Sequence, residues 1–239
     1  AADLNQWAGV HQLCSPHRAG TFMQIGDVRY RWEFRLLPGE TAEDFSTLPA
    51  LRPLIEPWTT RIDDDQLEIL RVAEYTFRAQ IADRWRRGNT FLLGDAAHLT
   101  PPFVGQGMGA GLRDAMNLAW KLAGVLDGSL DPAVLDTYEA ERKPHARKMI
   151  DLALLVGRAM TAGGEIGDRL RRTLVPRMHL IPGMRNKITD SATPSLPRSA
   201  LVHKTYRRRQ LTGTLCPNTE EEGGQRLDSL LGNAFALIT

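Results

Sequence analysis

From Val28 to Leu36 the chain alternates. Val28, Tyr30, Trp32, Phe34 and Leu36 are apolar, and Arg29, Arg31, Glu33 and Arg35 between them are charged. A period of two predicts a strand with one buried and one solvated face. Thr21 to Ile25 is a shorter strand candidate, and Gly26-Asp27 between the two reads as a hairpin turn. A second alternating run sets Ala73, Tyr75, Phe77, Ala79 and Ile81 against Glu74, Thr76, Arg78 and Gln80, and predicts another half-buried antiparallel strand. The pattern then changes. Thr90 to Leu93 is an apolar run long enough for a buried strand, and Gly94-Asp95 stops it. Further on, Met108, Leu112, Ala115 or Met116, Ala119, Leu122 and Leu126 fall at helical spacing. They predict a long amphipathic helix with one buried stripe, closed by Asp127-Gly128. Asp131-Pro132 reads as an N-cap followed by proline at the first helical position. The helix it starts runs toward Lys143, and Pro144 is expected to kink or restart it. Met149 to Met160 is strongly apolar and is expected to pack internally, ending at Gly163-Gly164.

Other segments are less regular. Thr41 to Trp58 reads as helical in pieces broken by Pro49, Pro53 and Pro57. Asp63-Asp64-Asp65 lacks the spacing of a calcium loop and has no His or Cys nearby. It is expected to cap and begin a helix through Ile69. Asp168 to Leu174 is a short helix candidate, and the prolines from Pro176 to Pro197 make 176–198 irregular. Phe235 to Ile238 looks like a strand starting as the chain stops. Separate antiparallel strands and helices predict an α+β fold.

Composition narrows the function classes. The chain has 239 residues, 42% hydrophobic, enough for a sizeable core. Its formal net charge is +2, from 30 basic and 28 acidic residues. That balance gives no electrostatic case for nucleic acid or an anionic membrane as partner. Arg84, Arg86 and Arg87 form a polar corner around Trp85, read as a solvated turn. Three arginines on the charged face of the first strand suit an acidic substrate, but solvation is the ordinary fate of such a face. The two cysteines, Cys14 and Cys216, match no metal or redox motif, which points to free thiols in a reducing, cytoplasmic compartment. No apolar run approaches the length of a spanning helix.

The chemistry concentrates in Asn89–Leu122, NTFLLGDAAHLTPPFVGQGMGAGLRDAMNLAWKL. An apolar strand, an acidic turn, a Gly-rich loop and a helix follow in order. Asp95 at a strand end can accept hydrogen bonds from sugar hydroxyls. Gly105, Gly107 and Gly109 remove side chains where a flat ring or a phosphate must approach the backbone. The helix N-terminus adds free N–H groups and a partial positive charge. Pro101-Pro102 stiffens the approach. Asp95 with His98 also suggests an acid–base pair, but no G-x-S-x-G nucleophile motif accompanies it. A strict G-x-G-x-x-G opening a βαβ unit is absent; GQGMGAG fits it at Gly105 and Gly107 and places Ala110 third.

GDAAHLTPPFVGQGMGAGLRDAMNLAWKL resembles the second flavin-contact motif of the FAD-dependent aromatic hydroxylases, the class A flavoprotein monooxygenases. RYRWEFRLLPGE, YTFRAQIADRWRRGNTFLLGDAAH and LDTYEAERKPHARKMIDLA extend the resemblance over residues 11–160, closest to the 3-(3-hydroxyphenyl)propionate hydroxylase subgroup. GTLCPN and LDSLLGNAFALIT are similar to the start of that subgroup's C-terminal thioredoxin-like domain. The resemblance implies an antiparallel substrate-domain sheet joined to the closing strand and helices of a para-hydroxybenzoate-hydroxylase-like FAD domain, incomplete here. It implies a substrate-binding sheet region at 1–88, an FAD-domain part at 89–175, a linker at 176–212 and a thioredoxin-like start at 213–239. Asp95 would bind the ribityl or pyrophosphate part of FAD. The backbone around Gly107, Met108 and Gly109 would face the pyrimidine edge of the flavin, with Gly105 beside it. The carbonyl region of Pro102 would lie beside the aromatic substrate. NAD(P)H and O2 would serve as co-substrates for hydroxylation of a phenolic acid. Apolar surfaces left by missing parts are expected to favour a homo-oligomer. Because the initial G-x-G-x-x-G region is missing, the chain is expected to be the middle-to-late part of a longer hydroxylase, inactive alone. The rival expectation is a structural module that binds no FAD.

Overall fold

The computed structural model describes residues 4, 6, 9–15, 17–161, 164, 167, 169, 172, 173, 193–204, 212–216, 218–220 and 224–232. The strand expected at 235–238 lies outside these, as does all of 176–192; of the helix expected at 168–174 only 169, 172 and 173 are described, and they are helical. Two compact units form: Ala1–Arg78 with Ala153–Asp190, and Ala79–Leu152 with Ser191–Thr239.

In the first unit, strands β1 (His11–Leu13), β2 (Gly20–Gly26) and β3 (Arg29–Phe34) make an antiparallel sheet in the order β1-β2-β3. The β2–β3 turn sits at Asp27-Val28, one residue later than expected, because a bulge between Gln24 and Gly26 shifts the register. Phe22 is fully buried and stacks on Tyr30 at 5.8 Å and on Trp58 at 5.4 Å. Trp58 belongs to helix α1 (Leu48–Thr59), which therefore lies on the apolar face of the sheet. The helix is not broken as expected. Pro49 sits in its first turn, and Pro53 and Pro57 lie inside it. All three are exposed and four residues apart, so the carbonyls they leave unbonded form one solvated row.

Asp63 caps only a single 3-10 turn, Asp64–Gln66, and Leu67 returns to extended backbone instead of continuing a helix to Ile69. The strand expected over 73–81 is also corrected. Residues 67–79 carry neither helix nor strand, and only Gln80–Ile81 (β4) pairs. An alternating pattern specifies a face but not a partner; among the described residues no strand pairs with 73–79, so Tyr75 and Phe77 stay largely exposed.

In the second unit, β5 (Arg86–Arg87) and β6 (Thr90–Phe91) form a tight hairpin around Gly88-Asn89, with Gly88 at φ +60°. β4 pairs with β7 (His98–Leu99). The Thr90–Leu93 run thus gives a two-residue, half-exposed strand, not a buried one. Helix α2 (Gly107–Leu126) ends at Asp127 with Gly128 at φ +80°. Asp131 accepts the Ala133 N–H at 2.7 Å and caps a 3-10 turn, Pro132–Leu135, that runs into helix α3 (Asp136–Thr161), of which the residues up to Leu152 belong to this unit. α3 continues through Pro144, whose ring lies on an exposed face. Trp85, Ala97, Leu118, Leu135, Tyr138 and Ala146 form the core of this unit. Trp85 is fully buried at the centre of that core, while Arg84 and Arg87 beside it are exposed.

The buried stripe expected on α2 is met at Leu122, which packs half-buried against the core, but not at the other large apolar positions. Met108 is 82%, Leu112 58% and Met116 74% exposed, and Leu126 is exposed too. The buried positions are Ala110, Asp114, Leu118, Lys121 and Gly124. Asp114 and Lys121 sit inside because α3 supplies their counter-charges: Arg142 Nε donates to Asp114 Oδ1 at 2.8 Å, and Lys121 Nζ donates to Glu141 Oε2 at 2.7 Å. In the apolar stretch of α3, Met149, Ile150 and Ala153 are buried as expected, but Leu152 and Leu155 face outward.

Candidate functional site

The candidate site is built from the turn after β6, the loop after β7 and the start of α2, all in the second unit. Gly94–Ala96 is a 3-10 turn with Gly94 at φ +55°, a left-handed conformation that glycine adopts without strain. Asp95 stands exposed in this turn. Gly94 and Gly111 pack backbone to backbone: a Cβ on Gly111 would come within 3.3 Å of the Gly94 Cα. Gly111 lies one helical turn along from Gly107. The absence of two side chains therefore brings the Asp95 turn against the first turns of α2.

Pro102–Val104 is a second 3-10 turn, with Pro102 exposed. The Pro102 carbonyl accepts the Gly105 N–H at 2.9 Å, and Gly105 turns the chain at φ +62°. Gly107 and Gly109, expected in the loop, form with Met108 the first turn of α2 itself. Gln106 at the N-cap makes no side-chain cap; its Oε1 instead accepts from Arg113 Nη2 at 3.2 Å. The first-turn N–H groups are thus left without a side-chain acceptor. A Cβ added at Gly105 or Gly107 would meet nothing within 4 Å, so this face is open. The structure packs the Asp95 turn against α2 at Gly111 and puts Gly107, Met108 and Gly109 in the first turn of that helix, with Pro102 and Gly105 on the loop that leads into it.

A buried network behind this surface escaped the reading of the sequence. Asp114 is completely buried. Its Oδ2 accepts the Gly94 N–H at 3.1 Å and His98 Nε2–H at 2.8 Å, and its Oδ1 accepts from Arg142. Arg142 Nη2 also donates to the Ala110 carbonyl at 3.4 Å. Burial pushes the Asp114 carboxyl up, but the His98 and Arg142 hydrogen bonds outweigh it and hold the group below its ordinary range. Trp85 stacks on the His98 ring at 5.3 Å, and the Tyr138 hydroxyl donates to the Leu92 carbonyl at 2.8 Å. Asp95 and His98 make no acid–base pair, since His98 is turned inward to Asp114. The available signal was the polar residue Asp114 on a helix otherwise rich in Ala, Gly and Leu.

Among the described residues no group of His, Cys, Asp and Glu is placed to hold a metal, and no helix is long and apolar enough to cross a membrane.

The sequence profile of the FAD binding domain family matches residues 11–153. The chain belongs to that family. It is 37% identical over 232 residues to 3-(3-hydroxy-phenyl)propionate/3-hydroxycinnamic acid hydroxylase 2 of Burkholderia vietnamiensis (strain G4 / LMG 22486), covering 94% of this chain and 42% of that protein. It is 35% identical to the corresponding hydroxylase of Mycolicibacterium smegmatis, covering 93% of this chain and 41% of the relative. In three dimensions it resembles aklavinone-11 hydroxylase in its ternary complex with FAD and aklavinone, with a TM-score of 0.67 and 27% identity, over 95% of this chain and 42% of that one. The fold is that of the FAD-dependent aromatic hydroxylases, as the motif implied. This member of the FAD binding domain family spans less than half the length of the relatives it matches.

Proposed function

We propose that the protein is a flavin-dependent monooxygenase that hydroxylates a phenolic acid such as 3-(3-hydroxyphenyl)propionate, with FAD as cofactor and NAD(P)H and O2 as co-substrates. The observation that carries this reading is the union of an exposed carboxylate, Asp95, with the uncapped first turn of α2 through the Gly94–Gly111 contact. The residues present fit the cofactor. Gly105 and Gly107 leave open space for a flat ring, and the Gly107, Met108 and Gly109 N–H groups offer donors to its anionic edge. Asp95 would accept hydrogen bonds from the ribityl chain or its pyrophosphate end. FAD, when bound, supplies hydride acceptance and transfer of an oxygen atom to the ring. The chain's own work is to bind, orient and exclude water. Pro101-Pro102 holds the loop with few N–H donors, and the Pro102 carbonyl would stand beside the substrate ring.

In the same reading the β1–β3 sheet belongs to the substrate-binding region, 89–175 to the FAD domain, 176–212 to a linker and 213–239 to the start of a thioredoxin-like domain. The protein works in the cytoplasm, and by itself this chain takes up flavin without turnover.

The test is titration of the purified chain with FAD, followed by quenching of flavin fluorescence, together with phenolic-acid-dependent NAD(P)H oxidation. Saturable binding that Asp95→Ala weakens about tenfold supports the reading. No saturable binding, or binding indifferent to Asp95→Ala, overturns it. NAD(P)H oxidation by the chain alone would correct the assignment of inactivity.

A further inference from the structure

Asp114 joins the three pieces that carry the candidate flavin contacts. It bonds the Gly94 N–H, beside Asp95, at 3.1 Å. It bonds His98, which opens β7 and the loop to Pro102 and Gly105, at 2.8 Å. Through Arg142 it reaches the Ala110 carbonyl in the first turns of α2. Because a carboxylate accepts only, the bond to His98 fixes the ring with its proton on Nε2. Among the described residues the buried His98 Nδ1 has no hydrogen-bond partner, and Trp85 covers the ring face.

Stability alone explains this arrangement poorly. Three donors on one fully buried carboxylate carry a large desolvation cost, and apolar residues of similar volume often stabilise such a site as well or better. What the ionic arrangement adds is direction. Gly94 and Gly111 meet without side chains that could interlock, so the directed hydrogen bonds to Asp114 set the register of the Asp95 turn on α2. Ligand contacts need side chains and N–H groups placed to within about 0.5 Å.

We propose that Asp114 is the positioning residue of the flavin site: through the Gly94 N–H, His98 and Arg142 it fixes the Asp95 turn against the first turn of α2 in the geometry that takes FAD. This rests on the reading of the site given above. Asn in place of Asp114 keeps the shape but presents an N–H₂ to at least one of the three donors. His98→Gln keeps an N–H able to reach Asp114, whereas His98→Ala does not.

The experiment compares wild type, Asp114→Asn, His98→Gln and His98→Ala for FAD affinity by fluorescence titration, with circular dichroism confirming the fold. Amide hydrogen exchange is followed over 94–98 and over 146–153 of α3 without flavin. Asp114→Asn is expected to weaken FAD at least tenfold and to speed exchange at 94–98 while leaving 146–153 unchanged. His98→Ala is expected to weaken FAD, and His98→Gln to restore most of the loss. If Asp114→Asn does not fold, the two His98 variants decide. Unchanged affinity in folded Asp114→Asn, equal losses in His98→Gln and His98→Ala, or faster exchange throughout α3 each overturn the inference. Wild type that binds FAD and responds to Asp95→Ala, beside an indifferent Asp114→Asn, overturns it alone. Wild type that binds no FAD overturns the site reading and this inference with it.

Discussion

His145 is buried in α3 one turn beyond the Asp114–Arg142 pair, and burial, followed by the charges of Arg142 and Arg113, pushes its pKa down to about 4. Its ordinary value is 6.5. The folded pKa lies below the unfolded one, so between these values the unfolded chain binds more protons. Stability from this residue is complete above about pH 6.5 and declines as pH falls toward 4, by roughly 3 kcal/mol in all. Urea unfolding at pH 7 and pH 4.5 should show the loss, and His145→Gln should flatten it. Gly124 gives a steric prediction. A Cβ there would stand 2.4 Å from Leu130 Cδ1, while the Gly124 carbonyl holds the Leu130 N–H at 2.9 Å. Gly124→Ala should therefore destabilise the protein by about 1–3 kcal/mol in urea titration. Neither site was visible in the sequence. Nothing in the residues around His145 or Gly124 records which chain segment will fold over them. Asp95 was legible for the opposite reason, since a carboxylate between an apolar run and a Gly-rich stretch is a local signal.

Helices α1 and α2 show where local pattern suffices and where it fails. α2 was predicted with its C-terminus in place, because Gly and Asp stop a helix through their own backbone preferences. Its inner face was mostly read wrongly, because hydropathy puts Met and Leu inside and Asp and Lys outside. The charges that reverse this come from α3, and Glu141 also holds Asn117 and Ser199 by hydrogen bonds. Lys121 is fully buried, so Lys121→Ala should cost about 3–5 kcal/mol by leaving Glu141 unpaired, and Lys121→Met with Glu141→Leu should recover much of it. A double-mutant cycle in urea measures this. In α1 the reading failed differently: prolines were taken as breaks, yet their four-residue spacing confines the damage to the solvated side. Pro53→Ala restores one hydrogen bond, to the Pro49 carbonyl, and should stabilise the protein by about 1–3 kcal/mol in the same assay. The β2–β3 hairpin was legible almost to the residue. The run at 73–79 was not, because pairing is a property of two segments.

Across the whole molecule, Met108, Leu112 and Met116 line one exposed apolar ridge of α2. Such a ridge should bind a hydrophobic dye and promote concentration-dependent association. Leu112→Glu combined with Met116→Lys should reduce both, as read by dye fluorescence and sedimentation velocity. The Asp114 network has a further consequence, for the order in which the chain folds. Its bonds span 16, 20 and 28 residues, to His98, Gly94 and Arg142. Loops of this length close at modest entropic cost, and short-range contacts form early. The frame around the candidate cofactor site can therefore assemble from one continuous segment, 94–142, before distant parts of the chain meet. In pulse-labelled refolding, the Gly94 amide should gain protection together with the amides of α2 and ahead of those in the β1–β3 sheet.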